Sequence, residues 1–519
     1  MQALPGRSLL ILIGVSAALA QSSAPQSGTP YRVVGAGITG ASEVKQSEGF
    51  PHSSLELTSS DGALAAGFDR AKRQAMAYVF DGDAVGPWYE AAEPGREAFC
   101  MRDVAHQSMG AQALGLARYN LNLLRRFAEN VSDSKDWCSY WEIDRFNRPA
   151  PVDYLSDAQF WYNLPANFDI LDACYRMYLW SGDPAYITDP AFLNFYDRTV
   201  TDYVERWALG LDQIMSRPRL LNVRGILDPK KKFQAARGIP GYDEGNHEYT
   251  AGADLLATQY AAYLAYARIQ EVRGKTELAR AFLKKAADVK AFINSTWWNQ
   301  KDQCFYGRLS SRHELEGRGG GDFLYWNAVE DGPKVGSALA DSARRLESLY
   351  RYGDPDTAYA RLIDTMTPGH SRMEYPEVPY SVVGTVVTGA MGITLDTMPA
   401  TLSAVEGFWV EAAVKTRSGL GTKVAWAELR NLPVRANEIT VRHEAGHKTV
   451  FTNQHGPALI WHAAFPGSHQ TLLVNGRAMP ARPEAGPLGR EDSWVRVTVG
   501  AGGTVTVEVP EEQRPAQNE

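Results

Sequence analysis

The first thing legible along the chain is a change in the period of its apolar positions. Leu256, Tyr260, Tyr263 and Ala267 recur every three or four residues, as do Phe192, Tyr196, Val200, Tyr203 and Trp207. That spacing puts each set on one buried helical face. Short connectors join such stretches in pairs. In "LWSGDPAYITDPAF" Gly182 stops one helix, and Asp189 caps the next with Pro190 at its first position. "LYRYGDPDTAYARL" repeats the design with Gly353, Asp354 and Pro355, and "EVRGKTELARAF" turns at Gly274. Glycine supplies the left-handed stop, aspartate the N-cap acceptor, and proline a preset φ where no amide hydrogen is needed. Three joints of one design predict repeated αα-hairpins over residues 60–399. The irregular segments 132–155, 209–246 and 299–332 are too long to be mere connectors and predict functional loops.

Beyond residue 400 the period falls to two. "WVRVTV" and "TVTVEV" alternate around Gly502-Gly503, and "TLLVNGRAM" carries the hairpin signal Asn475-Gly476. This predicts an antiparallel β-sandwich over 400–510 and a disordered tail over 511–519. Inside it, His443-Glu444-Ala445-Gly446-His447 spells HExxH. Two imidazoles four residues apart share a metal only on a helix. Here Ile439-Thr440-Val441-Arg442 and Thr449-Val450-Phe451-Thr452 have strand character and Gly446 sits at a turn. The spelling is therefore read as a β-hairpin, and no metal is assigned.

Arg7, the apolar run Leu9 to Ala18 and Ala18-Leu19-Ala20 read as an export signal over residues 1–20, followed by an extended segment 21–59. The expected location is the periplasm or the outside of the cell, without a membrane anchor. Four cysteines in 519 residues leave the fold to its core; Cys100 with Cys138 is the disulfide considered, and buried free thiols are the alternative. A net charge of −7 argues against a nucleic-acid partner. No P-loop or dinucleotide pattern stands in a β-α-β context, so no cofactor is implied. "GRGGGDF" (317–323) lacks both the preceding strand and the Lys-Ser/Thr of a phosphate cradle, and is read as a mobile rim loop.

Acids, aromatics and arginines converge in four stretches: 86–107, 136–169, 241–254 and 370–381. Paired helices, the "RD" of Arg102-Asp103 near the first of the set, the acidic "GYDEGNHEY" opening the third pair and the terminal sandwich together resemble the six-hairpin glycosidases. These (α/α)6-barrel enzymes include glucoamylase-like, trehalase-like and rhamnosidase-like members, and the likeness covers most of residues 60–510. The resemblance implies an exported glycoside hydrolase acting on an oligo- or polysaccharide. It implies inner helices beginning near 103, 156 and 247, with a sugar site at their N-termini. Glycoside hydrolysis needs an acid for the leaving oxygen and a carboxylate for water or the anomeric carbon. The acid is expected in the third hairpin, at Asp243 or Glu244, and its partner near the last, at Glu374 or Glu377. Glu244 as acid and Glu377 as base is the preferred pair, with Glu142 and Glu330 in reserve. Asn246 and His247 flank the first, Arg372 and Tyr375 the second. Arg102 and Asp103 can hold each other and a sugar hydroxyl, with His106 one turn on as a supporting group. Trp88, Trp141, Trp161 and Tyr162 can stack on pyranose faces, core packing being the rival for each. Two other functions fit the same residues. One is a polysaccharide lyase, with His106, His247 and Arg102 central; the other is a glycan-binding protein without turnover.

Overall fold

The computed structural model describes residues 52–93, 95–218, 237–242, 249–330, 332–341, 346–369, 375–397 and 412–514. Among the described residues twelve helices build the barrel: α1 (Gly62–Ala77), α2 (Met101–Ala113), α3 (Ala117–Glu129), α4 (Pro165–Ser181), α5 (Pro190–Val200), α6 (Ala253–Val272), α7 (Thr276–Thr296), α8 (Gly321–Tyr325), α9 (Pro333–Asp341), α10 (Leu346–Tyr352), α11 (Pro355–Thr365) and α12 (Glu377–Thr385). Even-numbered helices contact one another in the order α2, α4, α6, α8, α10 and α12, with α12 returning to α2; α10 meets the wide turn Val386–Ala390 that extends α12. Odd-numbered helices pack outside this ring. The result is an (α/α)6 barrel.

Burial follows from this arrangement. The inner helix α6 buries nearly all of its circumference, because it meets neighbours on both sides and the outer layer behind. The outer helix α7 buries one stripe, Ala279, Phe282, Ala286, Val289 and Ile293, and leaves the rest to water. The hairpin joints form as the sequence specifies: Gly182 is left-handed at φ 69°, and the Asp189 carboxylate accepts from Ala191 N–H at 2.8 Å. Asp354 accepts from Thr357 N–H at 2.8 Å. Gly110 of α2 lets that helix touch α12, since a Cβ there would lie 2.0 Å from the Tyr380 carbonyl oxygen.

Two expectations about helices are corrected. No helix starts near 156; Tyr154–Ser156, Gln159–Phe160 and Tyr162–Asn163 are short strands, and α4 begins at Pro165. The apolar stripe through Val200 and Tyr203 breaks at Thr201, whose φ of −122° and ψ of −90° separate α5 from a short helix at Asp202–Arg206.

The sandwich has strands β1 (Glu56–Ser59), β2 (Ile393–Thr397), β3 (Ala412–Thr416), β4 (Trp426–Val434), β5 (Asn437–Glu444), β6 (Lys448–His455), β7 (Leu459–Pro466), β8 (Thr471–Val474), β9 (Arg477–Pro480), β10 (Arg482–Ala485), β11 (Glu491–Val499) and β12 (Thr504–Glu508). One sheet runs β1-β4-β5-β6-β12-β8-β9 and the other β2-β3-β7-β11-β10. The sheets meet through rings such as Phe451 on Trp461, 4.9 Å apart. All pairings are antiparallel except β3 with β7, a parallel exception to the expected pattern. β1 and β2 come from outside 400–510, so the chain enters and leaves the barrel through the sandwich.

HExxH falls on β5 and the following turn, where Ala445 and Gly446 both have positive φ. His443 is fully buried; its Nε2–H donates to the Met391 carbonyl and its Nδ1 accepts from Thr449 Oγ1, both at 2.9 Å. Glu444 is held by Arg442 and Lys448. The hairpin thus pins the sandwich to the far end of α12. The Cys100–Cys138 disulfide is not formed: all four cysteines are buried and free, and burial pushes the thiols of Cys100 and Cys138 well above their usual range. Gly317–Gly320 pack along Phe305–Gly307 and open α8, in place of a free rim loop. Among the described residues no helix is long and apolar enough to cross a membrane.

Candidate active site

Connections at one end of the barrel are short, at Leu114–Leu116, Arg273–Lys275 and Gly353–Asp354, and the sandwich covers this end. Those at the other end include the long segments 130–164 and 201–252. The inner helices point their N-termini at that second end. Asp103, Asp254, Asp322, Glu347 and Glu377 lie in the first turns of α2, α6, α8, α10 and α12. Each helix dipole favours a negative charge there.

Glu377 is the first residue of α12. His106 of α2 donates its Nδ1–H to Glu377 Oε1 at 2.9 Å, joining residues 271 apart in the chain. Beside them Tyr375 O–H donates to Asp103 Oδ2 at 3.1 Å. Burial raises the Asp103 carboxyl well above the usual carboxylate range, and the charge of Glu377 adds to this against the opposing pull of Arg102. The shift favours the protonated form of Asp103, close to Glu377 at the N-terminus of α12. Arg102 does not bond Asp103 as expected; its guanidinium lies over the Tyr242 ring, 3.3 Å from the centroid. Tyr242 is held in turn by its N–H on Asp254 Oδ2 at 2.5 Å.

Glu142 lies next to this group on the strand Glu142–Asp144, paired with Ala98–Cys100 just before α2. Its Oε1 accepts from Arg96 at 2.6 Å, while burial and then Asp153 drive its pKa well up. The other candidates disperse. Trp88 is core, stacked on Phe80 at 4.7 Å with its indole N–H on Asp83 at 2.7 Å. Tyr162 is fully buried and bonded to Asn167, so it presents no face to a sugar. Trp141 and Trp161 are nearly buried, at 8% and 6% exposure. Glu330 stands exposed on the outer layer, paired with Lys334 at 3.5 Å, with its N–H on Asn294. Asp243, Glu244, His247, Arg372 and Glu374 lie outside the described residues.

Sequence reasoning missed Asp169, Asp172 and Arg176 of α4 and Tyr325 of α8. Asp169 is fully buried with both carboxylate oxygens unpartnered, and Asp172 binds Arg176 at 2.6 Å. A signal existed: three charges at i, i+3 and i+7 in a helix otherwise apolar all round mark a buried polar stripe.

Neither a family model nor a curated protein matches this chain. Solved structures do. The α-L-rhamnosidase of Dictyoglumus thermophilum superposes with a TM-score of 0.56 at 12% identity, over 88% of this chain and 50% of that one. The α-L-rhamnosidase of Aspergillus terreus gives 0.51 at 12% identity, over 87% and 50%. The chain spans about half the length of these rhamnosidases. With six hairpins closed into a barrel and a β-sandwich behind it, the chain has the fold of the six-hairpin glycosidases.

Proposed function

We propose that the protein is an exported glycoside hydrolase that cuts an oligo- or polysaccharide by carboxylate acid–base catalysis. The observation that carries this is the Glu377–His106–Asp103 cluster at the N-terminal end of the inner helices, where two acidic side chains stand close together and burial favours a proton on Asp103. In this reading Glu377 is the base. The α12 dipole and the His106 N–H favour its charged form, and it takes a proton from the attacking water. Glu244 is the acid that protonates the leaving oxygen. It lies two residues after Tyr242, the ring that Arg102 covers. A second assignment makes Asp103 the acid, favoured by its raised pKa.

The test is a screen of aryl glycosides and polysaccharides for new reducing ends, followed by Glu377→Gln, Glu244→Gln and Asp103→Asn on the best substrate. Loss of a general acid or base costs roughly 10²- to 10⁴-fold. The acid variant regains rate on aryl glycosides with good leaving groups, whereas the base variant does not. Ultraviolet-absorbing unsaturated products would instead mean a lyase. Glu377→Gln retaining more than about a tenth of the rate refutes the assignment.

A further inference from the structure

Among the described residues five large apolar side chains stand exposed, and three of them, Phe146, Val152 and Leu155, fall in one stretch of the long segment 130–164. Single exposed apolar residues need no explanation, whereas a cluster does. The local sequence puts Phe146 there. In Asp144-Arg145-Phe146-Asn147-Arg148 the Asp144 Oδ1 accepts from the N–H groups of Phe146 and Arg148, at 2.9 and 3.0 Å, and Asn147 takes the left-handed conformation at φ 60°. This turn carries the Phe146 ring away from the core, and the guanidinium groups of Arg148 and Arg145 hold it from 4.9 and 5.6 Å. The ring lines an open cleft of about 200 Å³, together with Ala150, Pro151 and Val152. The polar lining is Arg96, Arg145, Glu97 and Asp144, two cations and two acids. Both guanidinium groups are paired: Arg145 with Glu97 at 2.9 Å and Asp83 at 2.7 Å, and Arg96 with Glu142 at 2.6 Å. All the lining residues belong to the connections before α2 and between α3 and α4, so the cleft lies outside the lumen. Arg96 nevertheless joins it to Glu142, which stands two residues of strand, about 7 Å, from Asp144 and next to the catalytic cluster.

We infer that this cleft is a second sugar site, outside the barrel, that takes one neutral pyranose ring from a distal unit of the glycan being cut. The site stands apart from the hydrolase reading; only the identity of its occupant as part of the substrate rests on that reading. The lining matches a sugar because a pyranose is itself two-sided. Its C–H face packs on Phe146 and the apolar residues beside it. Its hydroxyls both donate and accept, and the lining offers Glu97 and Asp144 as acceptors with Arg96 and Arg145 as donors. The cations and acids balance, so the cleft fits a neutral ring and holds no spare charge for a uronate. Pockets for drug-sized ligands span roughly 300–1,000 Å³, and this smaller one holds a single ring. A second contact on the same chain raises affinity for long glycans without altering the chemistry at the first.

Phe146→Ala in the full-length protein tests this, and Tm should not move, because the ring is exposed. Val152→Ser repeats the measurement at a second lining residue. In native gels containing a neutral glucan, a galactomannan or a xylan, at least one polymer should retard the wild type, and each variant should bind it more weakly, Phe146→Ala by about threefold or more. On a cleaved polymer, the ratio of its KM to that of an aryl monoglycoside too short to reach the cleft should rise by the same factor. No retardation by any neutral polymer, equal retardation of wild type and Phe146→Ala, or an unchanged KM ratio overturns the inference. So does retardation that depends on Phe146 with polygalacturonate alone, which would make the ligand anionic. Failure of the hydrolase reading shows separately, as no substrate cleaved at all; retardation that Phe146→Ala weakens then still upholds the cleft.

Discussion

His443 couples the sandwich to the barrel, and protonating it should separate the two. Its ring is fully buried between Met391 and Thr449, with Nε2–H donating to a carbonyl and Nδ1 accepting from a hydroxyl. A proton on Nδ1 would add a donor where an acceptor is needed and bring a charge out of water. Burial, only partly opposed by the Met391 hydrogen bond, lowers the pKa from 6.5 to about 4. Between those values the unfolded chain binds a proton that the folded chain refuses, so stability falls as pH falls. The stability is fully present above pH 6.5 and lost progressively down to about 4. At about 1.4 kcal/mol per pH unit, this window is worth about 3 kcal/mol. The assay is urea unfolding of wild type and His443→Gln at several pH values from neutral to 4, followed by tryptophan fluorescence. Wild type should lose about 3 kcal/mol more than the variant across the window. Parallel losses in the two proteins would refute the argument. Zinc content measured on the same samples should not differ between them.

The remaining predictions concern a second buried acid, the thiols and the catalytic bet. Burial, eased by three backbone N–H groups, raises Glu90 from 4.5 to about 7. Here the folded chain holds the extra proton, so stability falls as pH rises through that window, by about 3 kcal/mol. Glu90→Gln should remove this slope and stabilise the protein at pH 8; an unchanged slope in urea titrations rejects it. Alkylation of the unfolded chain without reductant should add four groups, one per cysteine, and fewer would reveal a disulfide. Glu377→Gln should keep wild-type Tm while losing about 10²-fold or more in turnover. A variant that loses activity only because its Tm drops would assign Glu377 a structural role.

Local chemistry alone determined much of the architecture. Gly182 with Asp189 and Pro190, and Asp354 with Pro355, specify hairpin joints because a left-handed stop, a side-chain acceptor and a fixed φ act within a few residues. The period-2 flanks of His443 excluded a helix for the same reason, and Asn475-Gly476 marked the turn between β8 and β9. Tertiary structure decided which residues meet. Tyr162 and Trp88 have the chemistry of sugar platforms, but ring closure turned them into the core, where their polar atoms found protein partners. Asp169, Asp172 and Arg176 mark a polar stripe on α4 in the sequence, but only the five other inner helices closing around it decide what that stripe faces. His106 and Glu377 lie on the first and last inner helices, and no local signal pairs them. They meet because a closed ring makes its first and last members neighbours, a consequence of packing six hairpins and not of any residue in either segment.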